Sequence, residues 1–250
     1  MIVAILGLGE AGKTLADDLL AVHVSVRGWD PNPVELPNSL YFAQSNVDAV
    51  EGADLILSVN WASAAKAVAV EVAPALTVGQ IYADLNTASP QNKEAVATII
   101  EPTGADFVDA AIMSPIRPKG LHSPVYASGS GAQQFHARLS PLGMPVTVLD
   151  EPAGSAATHK LVRSIVYKGI AAVVLECVEA GEKLGMANYA RQQMASILQD
   201  ESLIDHFVTG SHKHAKRRMH EMEAVVELLE GAGVSAFTSQ ASVERLKELQ

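Results

Sequence analysis

The first twelve residues constrain this chain more than any other stretch. Residues 1–12 read MIVAILGLGEAG, an apolar run followed by glycines at 7, 9 and 12. The run at 2–6 is rich in Ile and Val and stops at a glycine, which predicts a buried strand. A helical pattern continues over residues 11–22. In a dinucleotide-binding turn each glycine has a task. Gly7 allows the tight turn, Gly9 lets a pyrophosphate approach the backbone, and Gly12 lets the helix pack close to the strand. The helix start adds free N–H groups and the positive end of a dipole. A second predicted strand, 24–29, ends at Asp30. This acid lies near the roughly 20-residue offset at which a carboxylate accepts ribose hydroxyls. A negative charge there disfavours a 2′-phosphate, so NAD is favoured over NADP. Arg27 keeps NADP open if its side chain reaches the same pocket.

The chain of 250 residues is 48% hydrophobic and carries a formal net charge of −10. This is a soluble composition, long enough for one large domain or two smaller ones. The acidic balance argues against nucleic acid as a partner. No apolar run approaches the roughly 18 residues of a membrane span. The absence of a basic segment before the first strand predicts no signal peptide and a cytoplasmic protein. The single cysteine, Cys177, excludes an internal disulfide and a cysteine-based zinc site; its apolar surroundings predict core packing.

Strand and helix patterns alternate through the first part of the chain. Strands are expected at 54–59, 81–85, 107–113, 125–128 and 146–149, with helices at 62–73, 90–100 and 133–140. Between Asp30 and residue 54 the sequence reads as a loop containing Pro31, Pro33 and Pro37. Ser89 and Pro90 suit an N-cap and first helical position. The alternation implies an α/β fold, a Rossmann-type doubly wound, mostly parallel sheet over residues 1–152. From residue 153 onward only helical patterns remain: 154–184, 187–199, one starting at 203–207, 212–229 and 239–249. An all-α domain over 153–250 is expected, beginning with a long helix. Apolar residues crowd most of that helix's surface, which predicts burial, and a homodimer interface is one way to supply it.

Ligands in doubly wound sheets bind at the carboxyl ends of the strands. Asn60, Asn86, Thr87, Met113 and Ser114 fall there. The start of the long helix carries Lys160 and Ser164, four apart and so on one face. A buried lysine with a lowered pKa can serve as general acid or base beside a nicotinamide.

Four stretches, in order, resemble the β-hydroxyacid dehydrogenase family, which includes 6-phosphogluconate and 3-hydroxyisobutyrate dehydrogenases. GLGEAG (7–12: Gly7, Leu8, Gly9, Glu10, Ala11, Gly12) resembles its cofactor loop. DLNTASP (84–90) resembles its nicotinamide-side segment, FVDAAIMSP (107–115) its substrate turn, and GSAATHKLVRS (154–164) its catalytic helix. The resemblance covers about residues 1–185 and implies an NAD(P)-dependent oxidoreductase acting on a small acidic substrate, with Lys160 at the catalytic lysine. Two positions depart from the pattern. Ser164 stands where the family places Asn, and Met113-Ser114-Pro115 where it places Ser-Gly-Gly. Both imply altered substrate contacts. Residues 216–233 are similar to a helical domain of a less characterised branch. The rival readings are a non-catalytic dinucleotide-binding regulatory protein and an imine reductase-like enzyme; Lys160 weighs against both.

Several residues keep two readings. Ser114 either contacts substrate or begins a turn, and Asn86 and Thr87 either contact ligand or close a strand end. Ser164 is expected to orient the substrate hydroxyl. His159 points about 100° from Lys160 and reads as structural. Lys168 either pairs with Glu176 or another acid, or takes part in catalysis. Arg217 and Arg218 belong to a basic run that is either a solvated helix face or a contact for the substrate's acid group. His206, His212, His214 and His220 form no i, i+4 pair, so no metal site is expected.

Overall fold

The apolar runs become strands of one sheet. The computed structural model describes residues 1–33, 36–37 and 39–250. Its chain runs β1 (Ile2–Leu6), α1 (Glu10–Ala21), β2 (Ser25–Trp29), β3 (Tyr41–Phe42), α2 (Asn46–Val50), β4 (Leu55–Ser58), α3 (Ala62–Val72), β5 (Ile81–Asp84), α4 (Pro90–Ile100), β6 (Asp106–Ile112), α5 (Ile116–Lys119), β7 (Val125–Ser128), α6 (Ala132–Leu139) and β8 (Val146–Val148). The helices α7 (Ser155–Lys183), α8 (Ala187–Leu198), α9 (Ser202–Lys213), α10 (Ala215–Gly231) and α11 (Phe237–Lys247) complete it. Two compact units result, Met1–Lys160 and Leu161–Gln250, and they divide inside α7.

In the first unit the strand order is β3-β2-β1-β4-β5-β6-β7-β8. All neighbours are parallel except β6 and β7. This is the doubly wound, Rossmann-type sheet expected from the alternation. Parallel strands covered on both faces must be apolar on both faces. Accordingly, Val3 and Ile5 of β1 enter one core cluster, while Ala4 and Leu6 enter the other. The chain order reverses between β1 and β4, and the loops leaving these two strands flank the crevice where such sheets bind ligands. Ser89 caps α4, its side chain accepting from Asn92 N with Pro90 at the first helical position. The stretch read as a proline loop also holds β3 and α2. Both are too short to show a period, although Ser45 caps α2 through Asp48 N.

The second unit is helical. Leu161, Met222, Val225 and Val243 form one core cluster, and Val174, Met194, Ile204 and Phe207 another, against which Cys177 packs. The expectation that α7 is buried round its circumference needs correction for the single chain. Within this unit Val162, Val166 and Val173 are 53%, 63% and 65% exposed. The helix meets the two clusters on different sides, through Leu161 and Ile165 and through Ile170, Val174 and Val178, and the strip carrying the three valines meets neither. Among the described residues no helix is long and apolar enough to cross a membrane.

Candidate functional site

The glycine loop is shaped from both sides by its neighbours. Gly7 has φ +102°, and its amide donates to Trp29 O at 2.8 Å. A Cβ on Gly7 would come 2.5 Å from Val59 O, and one on Gly12 would come 1.9 Å from Gly7 O. Gly9 differs: a Cβ there meets no protein atom within 4 Å. Gly9 is also the N-cap of α1 and offers no side chain to the first-turn amides at Glu10, Ala11 and Gly12. The loop therefore presents donors and open space at one point, as an approaching phosphate requires.

Asp30 closes the loop from below. One carboxylate oxygen accepts from Leu8 N and the other from Asn32 N, both at 2.8 Å. The carboxylate retains further lone-pair positions. Arg27, on β2, is engaged elsewhere: its guanidinium donates to Glu51 O at 2.5 Å and lies 5.3 Å over the Tyr41 ring.

Across the switch point the polar residues after β4 and β5 form one network. Asn60 Nδ2 donates to Ser58 Oγ at 3.0 Å, and Asn86 Nδ2 donates to Asn60 Oδ1 at 3.1 Å and to Ser58 Oγ at 3.3 Å. Asn86 is buried, and its Oδ1 has no donor. Next along the chain, Thr87 Oγ1 accepts from Lys160 Nζ at 2.7 Å. The structure thus brings together Asn60, Asn86, Thr87 and Lys160. His159, by contrast, turns its ring edge-on to Tyr126 and sets Nδ1 2.8 Å from Ser155 O. Met113 and Ser114 are half-buried just beyond β6. Met113 N donates to Pro124 O, and Ser114 Oγ donates to Pro115 O at 3.3 Å.

The remaining residues singled out in the sequence lie in the helical unit. Ser164 is buried there; its Oγ donates to Glu221 Oε1 at 2.6 Å and accepts from Lys168 Nζ at 2.9 Å. Lys168 also pairs with Glu221, so its acid is Glu221 and not Glu176. Burial pushes the Lys168 ammonium below its ordinary pKa, and Glu221 pulls it part of the way back. Arg218 is buried as well. It donates to Ser211 Oγ at 2.9 Å and lies 5.5 Å over the Tyr167 ring, and burial lowers its pKa. Arg217 is exposed.

Sequence reasoning passed over three buried charges, Asp84, Lys93 and Asp109, and the partner acid Glu221. The available signal was an acid inside each of two apolar strands, in DLNTASP and FVDAAIMSP.

Residues 2–115 match the family model described as the NAD binding domain of 6-phosphogluconate dehydrogenase. The first unit carries an NAD-binding domain of the 6-phosphogluconate dehydrogenase type. Residues 182–249 match a domain of unknown function, DUF1932. A Methanothermus fervidus protein, described as an uncharacterized 28.5 kDa protein in the 7S RNA 5′ region, is 28% identical over 233 residues, spanning 89% of this chain and 88% of its own. A conserved protein of unknown function, described as structurally similar to 3-hydroxyacid dehydrogenases, is similar with a TM-score of 0.76 and 25% identity over 100% of this chain and 96% of its own. The 3-hydroxyisobutyrate dehydrogenase of Mycobacterium tuberculosis shares the fold, with a TM-score of 0.77 at 16% identity over 99% of this chain and 92% of its own. The open face at Gly9 and the Asn86 Oδ1 that accepts no hydrogen bond are features that a dinucleotide would fit.

Proposed function

We propose that this protein is an NAD(P)-dependent oxidoreductase acting on a small hydroxyacid, with Lys160 as general acid and base. The observation that carries this reading is the Lys160 Nζ to Thr87 Oγ1 hydrogen bond at the carboxyl edge of β5. It sets a proton-carrying group at the edge where such sheets bind ligands.

The first-turn amides of α1 would hold the pyrophosphate, Asp30 the adenosine ribose, and Asn60 and Asn86 the nicotinamide side. The nicotinamide, when bound, supplies the hydride acceptor. Lys160 Nζ, as the neutral amine, takes the proton from the substrate hydroxyl and returns it in the reverse direction. Thr87 Oγ1 fixes where that nitrogen points. Met113 and Ser114 border the substrate's side, whereas Ser164, expected from the sequence to orient the substrate hydroxyl, is buried with its hydroxyl committed to Glu221 and Lys168. Of the two arginines read from the sequence as contacts for the substrate's acid group, Arg217 is exposed and Arg218 is buried against Tyr167. Asp30 beside the loop, with Arg27 turned to Glu51 and Tyr41, supports NAD as the preferred cofactor. A homodimer is proposed on the exposed apolar side of α7.

Lys160→Ala tests the central assignment. Turnover of a hydroxyacid should fall by about 10²–10⁴-fold, the usual worth of a general acid or base, while NADH affinity holds. Near-normal turnover would defeat the assignment. Failure to bind either NADH or NADPH, monitored by tryptophan fluorescence, would remove the whole reading.

A further inference from the structure

Three buried charges stand together at the carboxyl edge of the sheet, and the proposed proton transfer uses none of them. Lys93 lies on α4, Asp84 ends β5, and Asp109 lies inside β6; their side chains are 1%, 1% and 0% exposed. Lys93 Nζ donates to Asp84 O at 2.7 Å and stands 3.4 Å from both Asp84 Oδ2 and Asp109 Oδ1. Those two oxygens accept no hydrogen bond, so Lys93 holds them by charge.

The other oxygen of each carboxylate reaches a main-chain amide. Asp84 Oδ1 accepts from Asn86 N at 2.9 Å and so shapes the turn that presents Thr87. Asp109 Oδ2 accepts from Ala157 N at 2.9 Å, and Ser128 Oγ accepts from Ala156 N at 3.1 Å. These are first-turn amides of α7, which no residue of the helix can satisfy. The β6–β7 register sets Ser128 opposite Asp109, so two adjacent strands cap one helix. Lys160 lies in the second turn of that helix.

One ammonium therefore ties down both ends of the Lys160–Thr87 contact. Stability alone is a poor reason for it, because buried ion groups are often matched by apolar residues of similar volume. Apolar residues cannot hold two amides at fixed positions. Two carboxylates against one ammonium also leave a surplus negative charge, which lies at the positive end of the α7 dipole.

We propose that Lys93, through Asp84 and Asp109, is a positioning residue that holds Lys160 Nζ on Thr87. The inference rests on the reading of Lys160 as the proton-transferring group. Its test does not require turnover. Competitive acetylation of the whole protein by acetic anhydride across pH, read by mass spectrometry, gives the midpoint at which Lys160 titrates, with exposed Lys66 as internal control. Amide exchange over residues 155–160 reports the helix start.

Lys93→Met leaves two buried carboxylates without their cation and puts the fold itself at risk, so Lys93→Met/Asp84→Asn is made beside it, with local net charge unchanged. In that double variant the Lys160 midpoint should fall by about 0.5 pH unit, about threefold in labelling rate, because a hydrogen bond to the charged form is loosened. Exchange over 155–160 should rise about tenfold, and Lys66 should not change. Asp109→Leu should raise exchange in the same segment, and Asp109→Asn, which keeps the acceptor, should restore it. A folded double variant with wild-type Lys160 labelling and wild-type exchange would overturn the proposal. The expected labelling shift in a chain that turns over no hydroxyacid would support the clamp while removing the dehydrogenase reading.

Discussion

Lys93 in the sheet unit and Lys168 in the helical unit are both buried and both ion-paired, but their networks end differently. The Lys93 network runs outward through two carboxylates to the amides of Asn86 and Ala157, beside the Ala156 amide held by Ser128. In the Lys168 network, Lys168, Ser164 and Glu221 are bonded to one another, side chain to side chain. A network that ends on main-chain amides fixes where a loop and a helix begin. One that joins side chain to side chain mainly satisfies charges that the core has buried. The first kind suits a site, and the second suits a core.

The largest expected effect breaks the side-chain network. Glu221→Leu strands the Lys168 charge and should cost about 3–5 kcal/mol in urea unfolding. Lys168→Met/Glu221→Leu should recover most of that loss. A double variant no more stable than the single would show that the network does more than satisfy its own charges.

A smaller effect separates two glycines of the loop. Gly12→Ala forces a methyl against Gly7 O and should cost about 1–3 kcal/mol. Gly9→Ala meets open space, so stability should stay within about 0.5 kcal/mol. Its dinucleotide Kd should nonetheless rise about tenfold, or about 1.4 kcal/mol, because the methyl stands where the phosphate would approach. Unchanged affinity in folded Gly9→Ala would move the phosphate away from this loop.

The smallest effect is one of pH. Burial raises the Asp84 carboxyl above its ordinary pKa, against the lowering pull of Lys93. A group that holds its proton more tightly when folded stabilises most below its unfolded pKa, about 4, and that contribution is lost as pH rises through the folded value. Asp84→Asn should remove this part of the slope. Urea midpoints compared between pH 4 and 7 would show the variant less weakened by rising pH than the parent chain.

Much of the sheet was legible because its signals are local. A β-branched run that stops at a glycine, or Ser89 before Pro90, needs no knowledge of distant residues. The short elements β3 and α2 escaped because two and five residues carry no period. Within the site, Lys160 and Thr87 were each legible, but their contact spans 73 positions and no pattern announces it. The same holds for Lys168 and Glu221. Asp84 and Asp109 stood in plain view in DLNTASP and FVDAAIMSP, yet an acid in an apolar strand shows a cost without showing its partner. The long helix was legible in part: composition counts apolar residues but does not say which of them meet the core of its own chain.

The cap on α7 has a consequence for how this sequence can drift. Ala156 and Ala157 take part only through their amides, so any residue other than proline that is small enough for their buried positions leaves the cap intact. Asp109 and Ser128 contribute side-chain oxygens and have no such latitude. Inherited constraint should therefore fall on strand residues remote from the helix in sequence, while the helix start they hold is free to vary.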